Sequence, residues 1–292
     1  MSNKKKIAKW IALILSIVLI LLIVRVVNRR RSNNDVLLDV NLIAVDTGEV
    51  TSKINVTGII SPNTIKQYSN LGIVDKVYVE KGSQVKNGQS LLKYTSGFEL
   101  KADIDGTVTY LNVKNGDMDY GSMPSVVVED LSDLKVTVSI GKSSAKLVKS
   151  GQKVIINDGS MYFETNVSYV SPTAQTGQVG SFGSPSVILE FNLGEYSAEF
   201  ISGFDVNASI IVATVENVIR VPVEAVHYSG ATAFVYTVDS NNYLLECIIE
   251  VGLEGDNYVE VISGLNAQDL VVISQNSKLQ NGLIVNPIVL GI

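Results

Sequence analysis

The chain has 292 residues, with 23 Lys or Arg against 29 Asp or Glu, one histidine and one cysteine. Eight of the bases lie in the first 31 positions, where there is no acid, so the body that follows carries 15 bases against 29 acids and a net charge of −14. A body that acidic is repelled by nucleic acid and gains nothing from anionic lipid, and a lone cysteine, Cys247, excludes an intrachain disulfide framework.

From Ile7 to Val27 the chain is nearly all apolar, interrupted only by Lys9 and Arg25 close to the two ends. About twenty apolar residues span a bilayer, and long cationic side chains near the ends reach back to the interface. The pattern predicts a transmembrane helix over 7–27, behind a basic N-terminus at 1–6 and ahead of a polar tether at 28–38. A cleavable signal peptide is the competing reading. The stretch leads into Arg29-Arg30-Arg31 rather than a small-residue cleavage site, which favours an uncleaved anchor. Lys4, Lys5, Lys6 and Lys9 before the helix balance Arg25 and Arg29 to Arg31 after it, so charge alone does not orient it.

Beyond Val36 strand signals dominate, as in Ile54, Val56 and Gly58-Ile-Ile ahead of the Ser61-Pro62-Asn63 turn. Two similar half-motifs then follow. The first runs from Gly72 through Val74, Val77 and Val79 to Gly82 and Gly88; the second runs from Gly106 through Val108, Tyr110 and Val113 to Gly116 and Gly121. Each is a glycine, an alternating strand, a turn glycine ten positions on, and another glycine five or six later. Alternation reads as half-buried strands, and the glycines supply the positive φ of tight turns. Two such halves predict an interlocked β-sandwich. Lys142 to Lys149 predicts one or two helical turns ended by Gly151. Thereafter short strands punctuated by Gly, Asn, Ser and Asp predict a barrel or sandwich, with Thr173 to Ser186 as a long mobile loop.

The half-motifs resemble the biotinyl/lipoyl-type domain, and the flanking sequence is similar to the membrane fusion protein family (HlyD-like and MacA-like periplasmic adaptors). The resemblance is carried by Ala102-Asp-Ile-Asp-Gly106, with Asp103 where the family has proline, and by Val126-Val-Val-Glu-Asp-Leu131. It continues through Val148-Lys-Ser-Gly151, Val221-Pro-Val-Glu-Ala-Val226, Val259-Glu-Val-Ile-Ser-Gly-Leu265 and Asp269-Leu-Val-Val272. It implies a mainly β chain with an N-terminal transmembrane helix, a lipoyl-like swapped-hammerhead sandwich at 68–130, and a β-barrel at 131–218. A membrane-proximal β-domain would be formed from 39–67 and 219–292. The N-terminus would be cytoplasmic and the body extracytoplasmic.

The implied function is that of an adaptor subunit of an export system. It would assemble as a homo-oligomeric ring on an ABC-type permease with a separate ATPase, similar to the macrolide-exporter class, with a proton-driven pump as the alternative partner. Only Lys93 to Lys101 joins the two halves, too short for two packed helices. The chain is therefore not expected to dock an outer-membrane channel through a helical hairpin, and a single-membrane, Gram-positive type host is the simplest setting. The resemblance also places Gly116, Asp117 and Met118 in a loop facing the lumen of the ring, with Asp117 replacing a glutamine.

No cofactor, metal or catalytic set is expected. A biotinyl or lipoyl carrier would need a lysine at the hairpin tip, but Tyr94-Thr-Ser-Gly97 stands there and Lys93 and Lys101 lie off it. His227 and Cys247 have no convergent partners in sequence, and Glu129-Asp130 and Asp117-x-Asp119 lack calcium-loop or zinc spacing, so all four acids read as solvated turn residues. A binding or sensing ectodomain unconnected with transport is the remaining alternative.

Overall fold

Residues 37–159, 161–175, 185–274 and 276–290 are described in a computed structural model of the chain. The expected anchor at 7–27, the basic N-terminus, nearly all of the tether and the middle of the Thr173 to Ser186 loop lie outside the described residues. No helix among the described residues is long and apolar enough to cross a membrane.

The chain opens with β1 (Leu38–Ala44) and the long β2 (Asp46–Pro62). Eight strands follow: β3 (Ile65–Tyr68), β4 (Leu71–Val77), β5 (Gln84–Val85), β6 (Ser90–Tyr94), β7 (Glu99–Lys101), β8 (Gly106–Leu111), β9 (Met118–Tyr120) and β10 (Val126–Glu129). They make two four-stranded sheets, ordered β3-β10-β8-β5 and β7-β6-β4-β9. The halves interlock by exchange. Strand β5 of the first half pairs with β8 of the second, and β9 of the second pairs with β4 of the first. Between the sheets lie Val74, Val85, Leu91, Leu92, Val108, Val126 and Val128, all buried. Two kinds of glycine make this possible. Gly116 sits at φ +89° with open space around it, so its conformation requires glycine. Gly106 has an ordinary φ, but a Cβ there would stand 2.6 Å from the Glu129 carbonyl oxygen, so close approach of β8 to β10 requires it.

Next come β11 (Leu134–Ile140), a single helical turn α1 (Lys142–Ala145), β12 (Lys153–Asn157), β13 (Tyr162–Val170), β14 (Val187–Asn192) and β15 (Asp205–Pro222). Strands β12, β13, β14, β11, β2 and β15 pair in that order, and β12 also pairs with β15, so the six form a cycle. The alternation seen in the sequence of β11 is the alternation of its burial: Leu134, Val136, Val138 and Ile140 point inward. They meet Val154, Ile156, Leu189, Phe191 and Ile210 in one core. Phe163 closes it, edge-on to Tyr196 with 5.1 Å between ring centroids.

The last strands are β16 (His227–Ser229), β17 (Thr232–Val238), β18 (Leu244–Glu254), β19 (Tyr258–Ser263), β20 (Leu270–Val272) and β21 (Val285–Val289). Strands β19, β18, β17 and β16 are neighbours in that order. Strand β1 lies between β20, antiparallel to it, and β21, parallel to it. The described chain thus forms two compact units. One gathers residues up to Gly48, Asn217–Gly252 and the chain from Val259 on; the other gathers Glu49–Glu216 and Leu253–Tyr258. Most of β2 groups with the second unit because its final residues, Gly58 to Pro62, are hydrogen-bonded along β11. In the first unit, two buried clusters, around Val221, Val235 and Val261 and around Val40, Leu244 and Val285, hold the strands together.

Candidate functional site

The connection between the two halves is a β-hairpin. Strands β6 and β7 are joined through a turn at Thr95 to Gly97, where the Gly97 N–H donates to the Tyr94 carbonyl at 2.8 Å. Lys93 lies opposite Glu99 and Lys101 opposite Ser90, so neither lysine occupies the tip. The site a carrier would modify holds Thr95 and Ser96.

Gly116, Asp117 and Met118 fall together at the start of β9. The Gly116 N–H donates to the Val74 carbonyl at 2.7 Å, and the Val74 N–H donates back to the Asp117 carbonyl at 2.9 Å, pinning the turn to β4. The Asp117 carboxylate accepts the Lys114 N–H at 2.8 Å and so caps its own turn. Met118 is exposed and faces Ile73 across the strand pair, with Tyr120 facing Leu71 beside it.

Between Met118 and Tyr120 the structure overturns one expectation. Asp119, read from the sequence as a solvated turn acid, is only 4 % exposed. Strand alternation puts its neighbours outward and turns it into the sandwich. There it accepts hydrogen bonds from the Tyr94 hydroxyl at 2.8 Å, the Ser125 hydroxyl at 2.5 Å, the Gly121 N–H at 2.8 Å and the Asn70 N–H at 3.3 Å. Burial alone would raise its carboxyl, but the bonds from Ser125, Gly121, Tyr94 and Asn70 outweigh that and hold it below the usual carboxylate range. Period-two alternation through Met118-Asp119-Tyr120 was the available signal. The other sequence departure is likewise accounted for. At Asp103, where the resemblance would place a proline, the N–H donates to the Tyr68 hydroxyl at 3.0 Å, a bond proline could not make, and the Tyr68 hydroxyl in turn donates to the Asp103 carboxylate.

His227 stacks on Phe234 at 5.5 Å and meets Tyr236 edge-on at 5.2 Å, and its buried Nε2 has no hydrogen-bond partner among the described residues. Burial pushes its pKa below the ordinary 6.5. Folding therefore favours the neutral ring. This contribution is fully present above the unfolded pKa near 6.5 and is lost as pH falls through it towards the folded value. Because His227 is the sole histidine, stability measured between pH 7.5 and 5.5 isolates it: the wild type should lose stability over that interval, and His227→Phe should flatten the profile. Cys247 is half-buried, its thiol donates to the Gly264 carbonyl at 3.2 Å, and burial pushes the thiol up, away from the reactive thiolate. Among the described residues no group of three His, Cys, Asp or Glu is placed to hold a metal ion.

Residues 217–278 match the family model described as RND MFPs, C-terminal permuted SH3 domain. The fold is similar to that of MacA from Actinobacillus actinomycetemcomitans, with a TM-score of 0.67 and 19% identity over 80% of this chain and 99% of that one. It is similar also to a MacA-MexA chimera carrying the Pseudomonas aeruginosa MexA alpha-hairpin domain, with a TM-score of 0.63 and 20% identity over 78% of this chain and 99% of that one. No curated protein matches in sequence. Residues 217–278 thus match a membrane-fusion-protein C-terminal domain, and the fold of the chain follows that of the two MacA structures.

Proposed function

We propose that this chain is the adaptor subunit of an export system, anchored by residues 7–27 with its body outside the cytoplasm. It would assemble, as a ring, on an ABC-type permease that works with a separate ATPase. The observation that carries the reading is a membrane-fusion-protein C-terminal domain at 217–278 in a chain whose fold follows MacA over most of its length. The exchanged sandwich and the cycle of six strands are scaffolds for protein contact. The anchor would raise the effective concentration of the body at the permease. A β-hairpin in place of helices between the halves supports a conduit that does not reach an outer-membrane channel. The description of the matching family model, RND MFPs, favours a second reading, an adaptor of a proton-driven pump. Copurification from the host separates the two by naming the transporter.

Within the ring, Gly116, Asp117 and Met118 would face the lumen and present one carboxylate per subunit, an attraction for cationic cargo. Asp117→Asn tests this cleanly, because asparagine can still cap the Lys114 N–H. The expected result is a several-fold loss of export of a cationic substrate with unchanged thermal stability; unchanged export would remove the lumenal role.

A further inference from the structure

A cleft of about 470 Å³ opens on the outer wall of the six-strand cycle, within the range typical of small-molecule sites. Four strands supply its polar lining: Asn55 and Thr57 from β2, Asn157 from β12, Tyr162 from β13, and Asn207 and Ser209 from β15. Register brings them into a row. Asn157 lies opposite Tyr162 on one side and opposite Asn207 on the other, and Thr57 bonds Asn207 from the next strand.

The three asparagines are held alike. Thr57 Oγ1 donates to Asn207 Oδ1 at 3.0 Å, Ser209 Oγ donates to Asn55 Oδ1 at 2.6 Å, and the Gly159 N–H donates to Asn157 Oδ1 at 2.8 Å. Each amide oxygen thus has a donor of the protein, and the Gly159 N–H, which can only donate, fixes the orientation of the Asn157 amide. None of the three amide NH2 groups has a partner among the described residues. Beside them Tyr162 is 75% exposed. No charged side chain lines the cleft, on a chain in which 18% of residues are charged.

An array of oriented N–H donors, an open aromatic ring and no charge selects its ligand by chemistry. Anions find no cation there, and cations find no carboxylate. A purely apolar molecule would desolvate the amides without replacing their hydrogen bonds. A peptide cannot add as a strand at the centre of the cleft, because β15, which carries Asn207 and Ser209, already pairs there with β12 on one side and lies beside β2 on the other. A neutral sugar chain meets all the conditions: its hydroxyl and acetamido oxygens accept from the amides, and the apolar face of one ring lies against Tyr162.

We propose that this cleft is a binding site for a neutral oligosaccharide. With the body outside the cytoplasm, as in the proposed function, its natural source would be the glycan of the cell envelope, and the cleft would hold the adaptor against it. The test is isothermal titration of triacetylchitotriose into the full-length protein, in a detergent without a sugar headgroup. The expected Kd is about 1 mM or tighter, with a rise of about tenfold for Tyr162→Ala and for Asn207→Ala. Tyr169→Ala, an exposed tyrosine further along β13, should bind as the wild type does. Cosedimentation with purified sacculi, lost in Tyr162→Ala, would assign wall glycan as the source; titration heat without cosedimentation would assign free oligosaccharide to the same cleft. Absence of heat with the trisaccharide at about ten times the expected Kd, or equal affinity in wild type and Tyr162→Ala, overturns the site whatever the fate of the transport reading.

Discussion

Replacing Asp119 by alanine should destabilise the hammerhead sandwich by about 3 kcal/mol, more than removal of any exposed acid of the chain. The carboxylate gathers donors from both halves: Tyr94 at the end of β6, and Ser125 and Gly121 beyond β9, with the Asn70 N–H ahead of β4. Tyr94 and Ser125 are themselves buried, at 1% and 3% exposure, so alanine would strand two hydroxyls away from water. Asp119→Asn keeps one acceptor oxygen but turns an NH2 towards the remaining donors, and should recover part of the loss. Because the chain has two units, the effect is best read locally, as faster amide hydrogen exchange at Leu91 and Val108 with exchange at Val235 unaffected. Equal protection in wild type and Asp119→Ala would mean the cluster is not a tie between the halves. The sign of the pH dependence is also fixed. Since the folded carboxyl lies below its ordinary value, its contribution is fully present above about pH 4 and disappears as pH falls through the folded pKa.

Gly264→Ala should be comparably damaging in the other unit, at about 3 kcal/mol. Gly264 sits at φ +107°, in the region that favours glycine, and a Cβ there would stand 2.5 Å from the Ile248 carbonyl oxygen and 3.0 Å from Ile249 Cα. Backbone on both sides leaves no flexible side chain to move aside. Gly282 provides the contrast: φ is +82°, but nothing lies within 4 Å of its added Cβ, so Gly282→Ala carries conformational strain alone, about 1 kcal/mol. The difference between the two variants in thermal midpoint therefore measures the close approach of the 264 turn to β18. Equal midpoints would place the whole cost in φ.

Much of the sandwich was legible because turn glycines and period-two valines are local signals. Gly82, Gly88 and Gly116 all adopt the positive φ that their spacing suggested, and Val74, Val108 and Val128 face inward. The repeat suggested that the halves interlock and the resemblance implied that they exchange strands, although the pairing of β5, two residues long, with β8 could not be read from so short a run. Asp119 was missed because composition weighed more than alternation: two acids two apart resemble a solvated turn, whereas the pleat places Asp117 and Asp119 in different settings, one capping a turn and one buried. The Asn and Tyr cleft was invisible for a different reason. Its members come from β2, β12, β13 and β15, and Ser209 and Asn55 stand 154 residues apart in the chain. Such a site has no local spacing; it exists only once β12 pairs with β15.

The central claim is that this chain is a transporter's adaptor, and its most direct test is purification of the full-length protein from its own host in mild detergent, after cross-linking, with mass-spectrometric identification of what accompanies it. The account predicts a polytopic permease and its ATPase in near-fixed ratio to the chain, while a proton-driven pump in their place would establish the second reading. Recovery of the chain alone would contradict the adaptor function and leave a free-standing ectodomain.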